Sequence, residues 1–169
     1  MHLEIPPAVH HLLQRLHHHR VKGYVVGGAV RDALLRKRFG DVDLLTDASV
    51  DDLCQIFFDQ QVKRVGRSFP VCLINTVEVA TQRPAQDPAL NFPASDLACR
   101  DFTINAMAFD PGTGTLIDPF DGRTDLENGM IRFTLNPEHR IMEDPVRMIR
   151  ACRFLALING QFAPETFEA

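Results

Sequence analysis

Apolar positions along the chain change spacing several times, and each change marks an expected element. Val9, Leu12, Leu13 and Leu16 recur at helical spacing, which predicts a helix over residues 8–20 that stops at Gly23. Tyr24, Val25 and Val26 form a short apolar run ended by Gly27 and Gly28, and residues 29–35 return to helical spacing, so this stretch reads as strand, glycine turn, helix. A second strand is expected over residues 41–46. Ser49 is a good N-cap for a helix to about Phe58, with Asp51 and Asp52 at its positive end. The β-branched runs 71–75 and 76–82 predict two further strands, and residues 83–95, with three prolines, predict a mobile loop.

Beyond this loop a short helix is expected from Asp101, then a strand at 107–109, a turn at 111–114 and a strand through Ile117. A helical turn at 124–127 should stop at Asn128 and Gly129, before a strand over 130–133. Past Asn136 the character changes: Pro145 suits a helix start, residues 146–157 read as one amphipathic helix, and Pro164 opens another. The expected fold class is thus mixed α/β (α+β), a head over residues 1–135 followed by the opening of a helical region over 136–169.

Length and composition set limits on this picture. A chain of 169 residues that is 45% hydrophobic suffices for one ordinary domain with its own core. No run approaches the length of a membrane span and the start lacks a signal-peptide pattern, so a cytoplasmic protein with no membrane partner is expected. Four scattered cysteines suggest neither a zinc site nor a disulfide framework. Five of the seven histidines crowd into His10, His11 and His17 to His19, but adjacent positions point different ways around a helix, which disfavours a metal site.

A net charge of −4 argues against a surface coated in positive charge for nucleic acid, so any polyanion must be met locally. Local basic clusters exist: Arg31 with Arg36, Lys37 and Arg38; Lys63, Arg64 and Arg67; and Arg140, Arg147, Arg150 and Arg153. Each taken alone also reads as a solvated face.

Three motifs carry chemistry. Gly27 and Gly28, between a strand and a helix, let backbone N–H groups approach a phosphate, though such a pair also serves as a plain tight corner. Asp41 and Asp43, two apart in an expected strand, would turn their carboxylates to one face and suit a hard cation such as Mg2+. A solvated strand edge is the alternative, and the glycine turn just ahead favours the metal. Asp144 and Arg147, three apart at a helix start, can present an acceptor beside forked donors, a pattern that matches the pairing edges of adenine and cytosine rather than guanine and uracil. Asp144 before Pro145 is equally suited to cap the helix.

The run GGAVRDALLRKRFGDVDLLTDAS resembles the nucleotide-transfer motif of bacterial-type CCA-adding enzymes and bacterial poly(A) polymerases, within the polymerase-β-like nucleotidyltransferases. RDFTINAMAFD, DPFDGRTDLENGMIRF and EDPVRMIRACRF follow in the family's order, so the resemblance spans residues 24–154. It implies a nucleotidyltransferase head and the start of a helical neck, with Asp41 and Asp43 catalytic and holding Mg2+, and Gly27, Gly28 and Arg31 at the triphosphate. Arg100, Asp101, Asp144, Arg147 and Arg150 would line the nucleotide site, with Asp101 near the ribose, and Glu78 lies where the family often has an acid facing the metals. Cys99 departs from the pattern, standing where the family usually has a first arginine.

The activity implied is template-independent addition of CCA, or its C or A part, to tRNA 3′ ends from CTP and ATP. Poly(A) tailing of RNA is the nearest alternative. A catalytically idle nucleotide- or RNA-binding module is a third reading, which loss of one aspartate would have favoured; both remain.

Overall fold

The computed structural model describes residues 3–38, 40–65, 71–83 and 88–169. Its centre is a seven-stranded mixed sheet in the order β3-β4-β5-β2-β1-β6-β7. The strands are β1 (Gly23–Val26), β2 (Asp43–Thr46), β3 (Val62–Val65), β4 (Val71–Ile74), β5 (Val77–Thr81), β6 (Ala108–Asp110) and β7 (Thr115–Ile117). β2 and β5 pair in parallel, and the other described pairs of this sheet are antiparallel. Strand alternation divides its side chains. Val25, Leu44 and Val79 enter the large core, where α1 (Pro7–His18), α2 (Gly28–Leu34) and α3 (Val50–Ile56) contribute Leu12, Leu16, Val30 and Leu53. Val26 and Leu45 enter a smaller cluster with Leu97, Ala106 and Ala108.

Most expected elements form, with shifted ends. The first helix closes at His18, and Gly23, the expected stop, instead opens β1. Ser49 caps α3 in a reciprocal box with Asp52. The short helix expected from Asp101 is a single 3-10 turn over Thr103–Asn105, because Phe102 is extended (φ −117°, ψ 150°) and bridges Phe133. The proline-rich stretch ends sooner than expected, since α4 (Ala94–Leu97) begins two residues before its end, while residues 84–87 lie outside the described residues, as does Arg67. β2 begins at Asp43, so Asp41 precedes the strand and does not share a strand face with Asp43 as expected.

After β7 come α5 (Gly122–Glu127), β8 (Met130–Ile131), α6 (Pro137–Glu143), α7 (Val146–Ile158), β9 (Gln161–Phe162) and α8 (Pro164–Glu168). β8 and β9 make a separate parallel pair. α7 turns Ala151 and Phe154 into the large core and leaves Val146 and Ile149 exposed. Phe154 meets Phe102 edge-on at 5.6 Å between ring centres, which seats α7 beside the Arg100–Asn105 segment. Among the described residues no helix is long and apolar enough to cross a membrane.

Candidate nucleotide-binding and catalytic site

The antiparallel register of β1 and β2 sets Asp43 opposite Val26, the residue just before the glycine turn. Gly27 has φ 71° and ψ −133°, a backbone region that a side chain strains. A Cβ there would stand 3.1 Å from Arg100 Nη1 and 3.8 Å from Asp43 Oδ2, so the missing side chain lets cation, carboxylate and backbone converge. On the other side of β2, the parallel pairing of Leu44 with Val79 sets Glu78 beside Asp43.

Burial pushes the Asp43 carboxyl above its ordinary pKa; Glu78 and Asp41 raise it further, and the Arg100 guanidinium pulls it down. Asp41 is exposed and outside the cavity wall, yet near enough to act on Asp43. Among the described residues no group of three or more His, Cys, Asp or Glu is arranged as a metal cage. The donor set nevertheless fits a hard divalent cation that keeps water and substrate oxygens as its other ligands: Glu78 and Asp41 each repel the Asp43 carboxylate, and such a cation relieves that repulsion.

Arginines line the same cavity. Arg31, 7% exposed, donates from Nη1 to Asn105 Oδ1 at 2.6 Å and from Nε to Asp32 Oδ1 at 2.9 Å. Asp101 Oδ2 accepts from Arg150 Nε at 2.8 Å and Nη2 at 2.6 Å, while its Oδ1 accepts from Phe102 N and Asn105 Nδ2. The guanidiniums of Arg31, Arg150 and Arg153 sit 5.1, 5.5 and 5.8 Å from the centre of the Phe154 ring, which gathers like charges around one aromatic surface. Arg100 is largely buried. Its Nε is 4.0 Å from Asp96 Oδ2 and has no hydrogen-bond partner among the described residues. Burial lowers its pKa, Asp96, Asp43 and Asp101 raise it, and Arg83 lowers it; an arginine stays charged regardless.

The Asp144–Arg147 pair expected from spacing is not formed. Asp144 Oδ1 accepts from Val146 N at 3.1 Å, whereas Arg147 Nη1 turns back to Glu143 Oε2 and the Arg140 carbonyl, both at 2.8 Å. The reason is α6, whose last residue, Glu143, presents a carboxylate four residues before Arg147 on the favoured helical spacing. The backbone N–H of Arg147 goes to the Asp144 carbonyl, so the Asp144 side chain caps the helix at Val146 N.

One cavity of about 510 Å³ collects Gly27, Gly28, Arg31, Asp43, Arg100, Asp101, Asp144, Arg147 and Arg150. Arg83, Cys99, Asn105, Arg153 and Phe154 also line it and were not among the expected site residues. Its described wall carries six arginines against three aspartates, a local excess of positive charge on a chain of net charge −4. Cys99 is buried, with Sγ 3.5 Å from the Ser95 carbonyl, and its own carbonyl accepts from Arg83 and Arg140. Burial pushes its thiol pKa up. His10 and His17 line a different cavity, with Tyr24 and the 110–113 turn.

Glycine turn, strand acids and arginines thus converge on one cavity. The chain belongs to the family described as the poly(A) polymerase head domain, which matches residues 23–132. The CCA-adding enzyme of Bacillus subtilis is 36% identical over 162 residues, covering 88% of this chain and 40% of that protein. Poly(A) polymerase I of Salmonella typhi is 35% identical over 181 residues, covering 93% of this chain and 38% of that protein. The crystal structure of the Bacillus stearothermophilus CCA-adding enzyme in complex with CTP superposes with a TM-score of 0.82 at 36% identity, over 97% of this chain and 43% of that one. The chain spans about two fifths of the length of these relatives.

Proposed function

We propose that this chain is the catalytic head of a template-independent RNA nucleotidyltransferase that adds C and A residues to tRNA 3′ ends from CTP and ATP in the cytoplasm. The observation that carries this reading is the single cavity in which Gly27 and Gly28, the Asp43 carboxylate and six arginines meet. The triphosphate lies against the glycine-turn backbone, Arg31 and Arg100, which stabilise the charge that collects on departing pyrophosphate. Asp43 and Asp41, with Glu78 beside them, hold Mg2+. When bound, that ion supplies charge neutralisation on the phosphates and makes the RNA 3′ hydroxyl a better nucleophile. Asp101, held by Arg150, takes the ribose. Asp144 and Arg147 read the base edge, with Arg147 leaving Glu143 to do so. Residues 136–169 begin the helical part of the full protein, and the exposed Val146 and Ile149 suit cover by further helices.

Poly(A) tailing is the second reading, favoured by the 35% identity to Poly(A) polymerase I of Salmonella typhi. The test offers the full-length protein tRNAs ending before the first C, before the second C and before the A, plus an oligo(A) primer, with each nucleotide separately. Stepwise addition of C, C and A supports the first reading. Long A tracts on oligo(A) select the second. No transfer to any primer contradicts both and leaves a binding module.

A further inference from the structure

Arg140 is 1% exposed and stands behind the cavity rather than in its wall. A fully buried arginine is rare, and its partners say what it is for. Its Nη2 donates to the Cys99 carbonyl at 2.6 Å and the Arg100 carbonyl at 2.8 Å, and its Nη1 donates to Glu143 Oε2 at 2.6 Å. That Glu143 oxygen also accepts from Arg147 Nη1. The Arg100 carbonyl takes a second bond from Thr134 Oγ1 at 2.7 Å. One guanidinium therefore ties the backbone that carries Arg100 and Asp101 to the α6–α7 corner that carries Asp144 and Arg147.

The geometry suits the fork of an arginine and not the point charge of a lysine, because three acceptors lie on two sides of one planar group. A shift of the backbone that carries Arg100 moves its guanidinium relative to Gly27, where a Cβ would stand only 3.1 Å from Nη1. We infer that Arg140 is a positioning residue for the nucleotide site: it holds the Arg100–Asp101 wall in register with the Arg147 wall, and so sets nucleotide affinity and base choice without touching the nucleotide. This rests on the nucleotidyl-transfer reading above.

The test uses the full-length protein and three variants. Arg140→Lys removes the fork, Thr134→Val removes the hydroxyl shared between the Ala98 carbonyl and the same Arg100 carbonyl, and Leu16→Ala is a destabilised control in the α1 core, outside the cavity wall. ATP and CTP affinity by equilibrium binding, KM, kcat and incorporation of all four nucleotides, and melting temperature are measured on each. Arg140→Lys is expected to weaken ATP and CTP binding about tenfold, with KM rising accordingly, and to narrow the preference for ATP over GTP. Thr134→Val should show a smaller change of the same kind. Leu16→Ala should lower the melting temperature and leave affinity and base choice unchanged.

If Arg140→Lys and Thr134→Val lower the melting temperature as Leu16→Ala does, with affinity and base choice intact, Arg140 is a fold element only and the inference is overturned. Should Arg140→Lys not fold, Thr134→Val decides by the same criteria. Wild-type protein that binds ATP but transfers nothing contradicts the functional reading, and the binding comparison still judges Arg140.

Discussion

Asp101 holds more of the site together than any other carboxylate described, and its removal has a calculable cost. It is 8% exposed and accepts from Phe102 N at 2.8 Å, Asn105 Nδ2 at 3.1 Å and Arg150 Nε and Nη2 at 2.8 and 2.6 Å. Asp101→Ala strands the Phe102 N–H and the Asn105 amide, at about 1–3 kcal/mol for each buried donor left without a partner. The Arg150 side chain is 42% exposed, so water replaces much of what it loses and the ion pair adds only about 0.5–1 kcal/mol. The total is roughly 3–5 kcal/mol after partial relaxation. At about 2–4 °C per kcal/mol for a domain of this size, the melting temperature should fall by roughly 6–20 °C. Asp101→Asn keeps an oxygen for Phe102 but turns an NH2 toward Arg150, and should cost about 1–2 kcal/mol. Urea unfolding of wild type and both variants measures the differences. Both variants within about 0.5 kcal/mol of wild type would refute the reasoning, since that is the scatter of ordinary surface substitutions.

Gly27→Ala is expected to lose roughly 1–3 kcal/mol from backbone strain at φ 71° and to weaken ATP binding by displacing Arg100 Nη1; unchanged urea midpoint and affinity would show that the turn tolerates a side chain. For Asp144→Ala, a base-reading role predicts that discrimination against GTP and UTP, a few kcal/mol in the parent, relaxes while the melting temperature holds. A capping role through Val146 N predicts a loss of about 0.5–2 kcal/mol with base choice unchanged, and four-nucleotide incorporation with a melting curve on one sample separates the two.

Elements whose own residues carry an apolar stripe were legible in the sequence. Leu12 and Leu16 mark α1, and Val77 and Val79 mark β5, because the period of burial is the period of the element. β3 was not legible: it is an edge strand whose Lys63, Arg64 and Val65 are exposed, so no alternation was imposed on it. α6 escaped for a similar reason, burying Arg140 rather than an aliphatic face. Its signal was at the end and not the middle, in Asn136, which accepts from His139 N, followed by Pro137 at the first helical position.

The site shows the same division. Gly27, Gly28 and Asp43 stand out by type and spacing, and the Val26–Asp43 register brings them together. Asn105, Arg83 and Arg140 act through contacts spanning 13 to 74 positions, which no local pattern encodes. Asp41 and Asp43 looked equivalent in sequence because both flank Val42; the strand begins between them, which half-buries one and exposes the other. Asp144 and Arg147 line the same cavity, but the acid that Arg147 bonds is Glu143, at the end of α6, which spacing alone did not single out.

Nucleotide transfer by Asp43→Ala and Asp41→Ala forms of the full-length protein is the most direct measurement, read as CMP and AMP incorporation into tRNA in Mg2+ alongside a melting curve. Loss of a cation-holding carboxylate removes several kcal/mol of transition-state stabilisation, so each variant should be slower by at least ~1,000-fold. Their melting temperatures should stay near wild type, since Asp41 is exposed and burial already disfavours the Asp43 charge in the absence of a cation. Near-normal turnover in either folded variant would contradict the assignment of these two aspartates as the cation site.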